Sequence, residues 1–140
     1  VIVLDTNVLS ALMRPAVPSE LEAWLLTVTD DVLCTTAVTV MEIVHGLERL
    51  PSGRRRRELE ARFDALVHPQ DGLQVLAFEG ASARLAALYR ARRDALGRPS
   101  SGADMMIAGI CGVAQASLAT RNLRDFEGLP LTVIDPFGGR

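Results

Sequence analysis

Three apolar segments of this chain each contain a single charged residue, and in every case it is a carboxylate. Asp5 is the only charged residue between Val1 and Met13, Glu42 the only formally charged one between Val32 and Leu47, and Asp104 the only one between Pro99 and Thr120. Segments of this kind are the ones a globular protein buries. An unpaired buried carboxylate is costly, or else it takes up a proton. A fold that carries three such acids has a use for them, and a shared cation is the simplest one. The fold must then bring the three segments together.

The surrounding pattern is α/β. The β-branched run 1–4 predicts a buried strand, followed by a brief helix through Leu9, Leu12 and Met13 that stops at Pro15. Pro18-Ser19-Glu20 opens a second helix with Leu21, Trp24, Leu25 and Val28 on one side. Further strands are expected at 32–35, 73–78, 117–119 and 131–134, and further helices at 37–50, 54–67, 79–96 and 103–115. Val40, Met41, Val44 and Leu47 read as the apolar side of helix 37–50, and Leu85, Leu88, Tyr89 and Leu96 as that of helix 79–96. Segment 103–115 is apolar almost all round, as in a helix packed deep in a core. Short strands alternating with helices imply βαβ units: a central parallel sheet of about five strands, flanked by helices, in one domain spanning 1–140. A chain that is 49% hydrophobic and 23% charged is globular in composition, with enough length for a core. It shows neither a membrane-span-length apolar run nor a signal-peptide layout, so the expected location is cytoplasmic.

In open α/β sheets, ligands bind beyond the carboxyl ends of the strands, where strand order reverses. Asp5 ends the first strand, Glu42 lies in the second turn of the helix after the second strand, and Asp104 opens the helix after loop 97–102. A fourth polar station, Thr120-Arg121-Asn122-Leu123-Arg124-Asp125, follows the fourth strand at the same edge. Carboxylates converging there repel, and without a cation at least one is driven to protonate. All-oxygen donors favour Mg²⁺ or Mn²⁺ over Zn²⁺; neither His45 nor His68 is expected to be a ligand. Taken singly, Asp5 could be a helix cap, Asp104 an acid complementing a helix dipole, Glu42 a surface acid and 120–125 an ordinary turn. Four polar stations at one edge are harder to dismiss together.

The net charge of −2 gives no global basic signal. All 15 basic residues are arginine, however, and two blocks stand out, at 49–62 and 84–98. Guanidinium forks suit phosphate contacts; solvated helix faces are the alternative. Cys34 and Cys111 lie in apolar surroundings with no C-x-x-C spacing and read as reduced core thiols. No Gly-rich loop follows the first strand and no G-x-S-x-G occurs, which argues against a dinucleotide module and a serine hydrolase. A HAD-like phosphatase needs a second Asp two residues after the first, where this chain has Asn7.

Val-Leu-Asp-Thr-Asn-Val at 3–8, Glu42 within Thr-Val-Met-Glu-Ile-Val-His-Gly-Leu, Ser-Gly-Ala-Asp-Met-Met-Ile-Ala at 101–108 and Ala-Thr-Arg-Asn-Leu-Arg-Asp-Phe at 119–126 come in a recognisable order. Along essentially its whole length the chain resembles PIN-domain ribonucleases, in particular the VapC-type toxins of bacterial toxin–antitoxin pairs and their FitB-like subgroup. The resemblance implies a Mg²⁺- or Mn²⁺-dependent endoribonuclease. Asp5, Glu42 and Asp104 would hold the metal, directly or through water, and Thr6, Asn7 and Thr120 would orient the carboxylates. Arg54, Arg55, Arg56, Arg57 and Arg121 would follow the RNA backbone. The resemblance also implies a homodimer and a small antitoxin that blocks the acidic groove, often with a basic side chain, with the helical pair 37–67 as a surface for one of these partners. Many relatives carry an acid directly after Thr-Arg; here that residue is Asn122, and Asp125 is the replacement charge. One firmly bound ion is therefore expected, with a second only when substrate is present. A non-catalytic RNA- or protein-binding module on the same fold is the alternative class.

Overall fold

The computed structural model describes residues 1–138. Strands β1 (Ile2–Leu4), β2 (Leu33–Thr36), β3 (Gln74–Leu76), β4 (Ser117–Ala119) and β5 (Val133–Ile134) form one sheet in the order β3-β2-β1-β4-β5, with every pairing parallel. The helices are α1 (Thr6–Leu12), α2 (Ser19–Thr27), α3 (Ala37–Glu48), α4 (Arg54–Leu66), α5 (Gly80–Ala95) and α6 (Gly102–Ala114). A short 3-10 turn, Leu123–Phe126, follows β4. The expected strands and helices are all present, with ends within two residues of those expected.

The central strand explains the sheet. Ile2, Val3 and Leu4 are all buried, as a strand covered on both faces requires. Their side chains alternate: Val3 joins a core layer with Met105, Ile107, Ile110 and Cys111 of α6, whereas Ile2 and Leu4 join the opposite layer with Val8, Leu21, Ile43 and Phe63. Gly109 lets α6 lie directly on α5, since a Cβ there would collide with the Ser82 carbonyl. That close approach sets the position of the α6 N-terminus, where Asp104 sits. Cys34 and Cys111 are both free and buried, and burial pushes the Cys111 thiol up to about 12.

Two helix faces differ from expectation. On α3 the inward stripe is Thr39, Ile43 and Leu47, while Met41 and Val44 are exposed. The cause is polar: Thr39 is drawn inward by hydrogen bonds with the Thr36 and Thr6 hydroxyls, which rotates the apolar residues beside it outward. On α5, Tyr89 and Arg93 are buried, whereas Leu88 and Leu96 face solvent. An arginine takes the inward position because it finds hydrogen-bond acceptors there, as described below.

The chain lays β2 and β3 to one side of β1 and β4 and β5 to the other. Strand order therefore reverses between β1 and β4, and the crevice at their carboxyl ends is where a ligand is accommodated.

Candidate active site

Asp5 and Thr120 leave adjacent strands at that reversal point. The Asp5 N–H still continues the ladder to the Ala119 carbonyl at 2.9 Å, and the Thr120 N–H reaches the Ile134 carbonyl at 2.9 Å. Both side chains are thus fixed by the sheet. Asp5 Oδ1 accepts from the Thr6 N–H at 2.8 Å, capping α1, and Oδ2 accepts from the Thr120 hydroxyl at 2.7 Å. The cap and a functional role are not exclusive, since each oxygen keeps a further lone pair.

The Thr120 hydroxyl is saturated. It donates to Asp5 and accepts from Asn7 Nδ2 at 3.2 Å and the Asn122 N–H at 3.1 Å. Asn7 Oδ1 accepts in turn from the Arg121 N–H at 3.1 Å. The Asn122 side chain is exposed, so its backbone is what joins this network. Arg121 stacks its guanidinium over the Phe137 ring at 3.8 Å.

Glu42 is held by a second chain of hydroxyls. Thr6 Oγ1 donates to Glu42 Oε1 at 2.6 Å. Its single proton being committed there, the 3.1 Å contact between the Thr6 and Thr39 hydroxyls must be donated by Thr39, which accepts from Thr36 at 3.4 Å. The relay Thr36→Thr39→Thr6→Glu42 points one way, toward the carboxylate. Thr36 also caps α3 through the Thr39 N–H.

Asp104 lies in the first turn of α6. The Ser101 hydroxyl caps that helix by accepting from the Asp104 N–H at 3.1 Å. Burial raises the Asp104 carboxyl to about 6; Ser101 opposes this, and the charges of Asp5, Asp125 and Glu42 add to it. Burial likewise raises Asp5, against the hydrogen bonds from Thr120 and Thr6, and Glu42 and Asp125 push it further. Asp5, Glu42, Asp104 and Asp125 therefore feel one another across one crevice, and charge accumulates there without a compensating cation.

This donor set fits a hard divalent ion: four carboxylates, with no cysteine or histidine among them. Among the described residues, no three His, Cys, Asp or Glu side chains stand close enough to ligate one ion directly.

Two of the four arginines that open α4 are occupied. Arg54 pairs with Glu58 at 2.9 Å, and Arg56 pairs with Glu48 at 2.9 Å and Glu60 at 2.7 Å. Arg55 lines a cavity of about 280 Å³ between α1, α3 and α4, which runs from Met13, Leu47 and Leu59 to Thr6 and Glu42. Thr36, Thr39 and Ser101 escaped the sequence reading, although S/T-x-x-T/D spacing at 36–39 and 101–104 is a visible cap signal.

A model of the PIN domain family matches residues 2–130. The chain is 32% identical over 136 residues to the VapC ribonuclease Y4jK of Sinorhizobium fredii, covering 97% of both chains. It is 28% identical to Toxin FitB of Neisseria gonorrhoeae, covering 97% of this chain and 98% of that one. Among solved structures, FitAB bound to the IR36 DNA fragment superimposes with a TM-score of 0.88 at 27% identity, covering 100% of this chain and 98% of the other.

Proposed function

The chain belongs to the PIN domain family, and from that membership we propose that it is a Mg²⁺- or Mn²⁺-dependent endoribonuclease, the toxin of a toxin–antitoxin pair. The observation that carries this reading is the convergence of Asp5, Glu42, Asp104 and Asp125 on the crevice where strand order reverses. Asp5, Glu42 and Asp104 would hold the ion, directly or through water, with Asp125 supplying the charge that Asn122 lacks. When bound, the ion would lower the pKa of a water and offset charge building on the scissile phosphate. The protein's part is orientation. Thr120 and the Thr6 N–H fix both Asp5 oxygens, the threonine relay fixes Glu42, and Ser101 fixes the turn that presents Asp104. Such partners keep each carboxylate in place while charge around it changes. One ion would bind firmly in the free protein, and a second would join only with substrate.

The partner is a small antitoxin. FitB was solved in a FitAB complex. The cavity between α1, α3 and α4 is the surface of this chain that suits such a partner: an apolar floor of Met13, Ile43, Leu47 and Leu59, beside Glu42. A basic side chain entering there would pair with Glu42 and close the crevice. The protein works as a homodimer.

The test is cleavage of a total small-RNA pool with Mg²⁺, Mn²⁺ or EDTA, beside Asp5→Asn. Discrete fragments that need metal and disappear with the variant are expected. Intact RNA under all conditions, with binding retained, would replace this reading with a non-catalytic module.

A further inference from the structure

Asp5 and Arg93 are the two charged side chains buried among the described residues, and the acidic crevice accounts for only the first. Arg93, on α5, is 4% exposed. Its Nε donates to Ser100 Oγ at 2.9 Å and its Nη1 to the Glu127 carbonyl at 2.7 Å, while Ser100 Oγ donates to the Asp125 carbonyl at 2.8 Å. None of these acceptors is a carboxylate, and among the described residues none stands within ion-pair distance of Arg93. A buried guanidinium left without an anion is an expensive arrangement.

The remaining nitrogen, Nη2, has no protein partner among the described residues. No fully enclosed side-chain nitrogen there lacks one, so Nη2 reaches open space. Arg93 lines a cavity of about 470 Å³ together with Arg98, Pro99, Arg124, Asp125 and Glu127. Arg98 pairs with Glu127 at 2.7 Å, and among the described residues neither Arg93 nor Arg124 has an ion-pair partner. Three arginines from three places, α5, the loop after it and the turn after β4, share the lining with Asp125 and Glu127. Guanidinium forks match the geometry of phosphate oxygens. Asp125 belongs both to this cavity and to the acidic crevice, which makes the two neighbours.

We infer that the Arg93–Arg98–Arg124 cavity is a phosphate subsite that holds a backbone phosphodiester of the RNA strand beside the one that is cut. The anion class follows from the guanidinium cluster; that it belongs to an RNA strand rests on the ribonuclease reading. Arg93 is fixed in advance by Ser100 and the Glu127 carbonyl, so ordering it costs nothing on binding. Arg124 is exposed and free to close on the phosphate.

The experiment measures binding of a short fluorescent single-stranded RNA to the full chain in EDTA across a salt series, for wild type, Arg124→Gln and Arg93→Lys. In parallel, inorganic phosphate is titrated against the thermal transition, and Mn²⁺ affinity is measured by water proton relaxation. Arg124→Gln is expected to weaken RNA binding about tenfold and to reduce the log–log salt slope by about 0.7, the single-strand value for one phosphate contact, with Mn²⁺ affinity within about twofold of wild type. Arg93→Lys keeps the charge but not the fork, and is expected to weaken RNA binding as well. Wild-type RNA binding that Arg124→Gln leaves unchanged in strength and slope overturns the subsite while the ribonuclease reading stands. Protection by inorganic phosphate that depends on Arg124, with RNA binding indifferent to it, assigns the cavity to free phosphate and overturns the strand assignment. No RNA binding and no metal-dependent cleavage by wild type removes the reading beneath it.

Discussion

The two halves of the acidic crevice are built differently. On the β1 side, Asp5 and Glu42 are held by side-chain hydroxyls that reach across the fold, from Thr120 on β4's end and through the Thr36–Thr39–Thr6 relay along α3 and α1. On the α6 side, the holding is by hydrogen bonds to the backbone: a serine cap for the turn of Asp104, and for Asp125 a short turn whose carbonyls are braced by Ser100 and Arg93. The difference shows in the protons. Burial raises both carboxyls; two donors, Thr120 and the Thr6 N–H, work against the rise of Asp5, whereas Asp104, with Ser101 alone opposing burial and three neighbouring charges, rises to about 6. One half is fixed before any ligand arrives, and the other is the half whose charge a ligand must settle.

The strongest way to break this contrast is to unlock the fixed half. Thr120→Val removes the donor to Asp5 Oδ2 and the acceptor for Asn7 and the Asn122 N–H while keeping the shape of the side chain. Losing an orienting partner of this kind costs on the order of 10–100-fold in metal affinity or activity. RNA cleavage rate and Mn²⁺ affinity, measured together, should both fall. Ser101→Ala on the other half removes a helix cap, typically worth about 1 kcal/mol of stability, and the one hydroxyl that opposes the rise of the Asp104 carboxyl, and should leave a larger share of activity. Equal losses from the two changes would erase the distinction.

The fixed half was also the more legible one in the sequence. Asp5 and Glu42 stand out because nothing charged surrounds them, and the β1 run Val-Ile-Val-Leu could only be a buried strand. The stations at Thr6, Asn7 and Thr120 followed once the family resemblance was in view, and the structure places all three in contact with one another's partners. What could not be read was which way a helix turns. Met41 and Val44 look like core residues by spacing, but Thr39 is the residue pulled inward, in part by the Thr6 hydroxyl 33 positions away in the chain. Arg93 was invisible for the same reason. A burial driven by a distant carbonyl leaves no periodic trace, so one arginine in a block of five looked like its neighbours.

A smaller effect sharpens the comparison on the α6 side, through pH. Asp104 has its folded-state pKa raised from 3.8 to about 6. Between those values the folded protein holds a proton that the unfolded chain has released. Its contribution to metal-free stability is therefore full below about 3.8 and lost as pH rises through about 6. At neutral pH the ionised carboxylate works against the fold. Asp104→Asn should raise the metal-free melting temperature at pH 7 by on the order of a few degrees, with the gain shrinking toward zero as pH falls to 4. The same variant should lose the melting rise that Mn²⁺ gives the wild type. A drop in metal-free stability at pH 7 would make Asp104 a structural residue and put both halves on the same footing.

The smallest expected effect concerns the arginines, which divide along the same line. Arg54 and Arg56 look like an RNA-tracking block in the sequence, but their charges are met by Glu48, Glu58 and Glu60 on the surface of α3 and α4. Exposed pairs of this kind contribute little to stability and present little net field to a polyanion. Arg54→Gln with Arg56→Gln should therefore change RNA affinity by no more than about twofold and leave the salt slope where it was. Arg55 is different, because it lines the cavity that ends at Glu42 and has no carboxylate within ion-pair distance among the described residues. If the double variant lowered the slope by about 0.7 or more per residue, the glutamates would have to release their arginines to RNA. The α4 face would then rank beside the Arg93 cavity as a contact for the strand, and the crevice would be approached from both of its halves rather than from the α6 side.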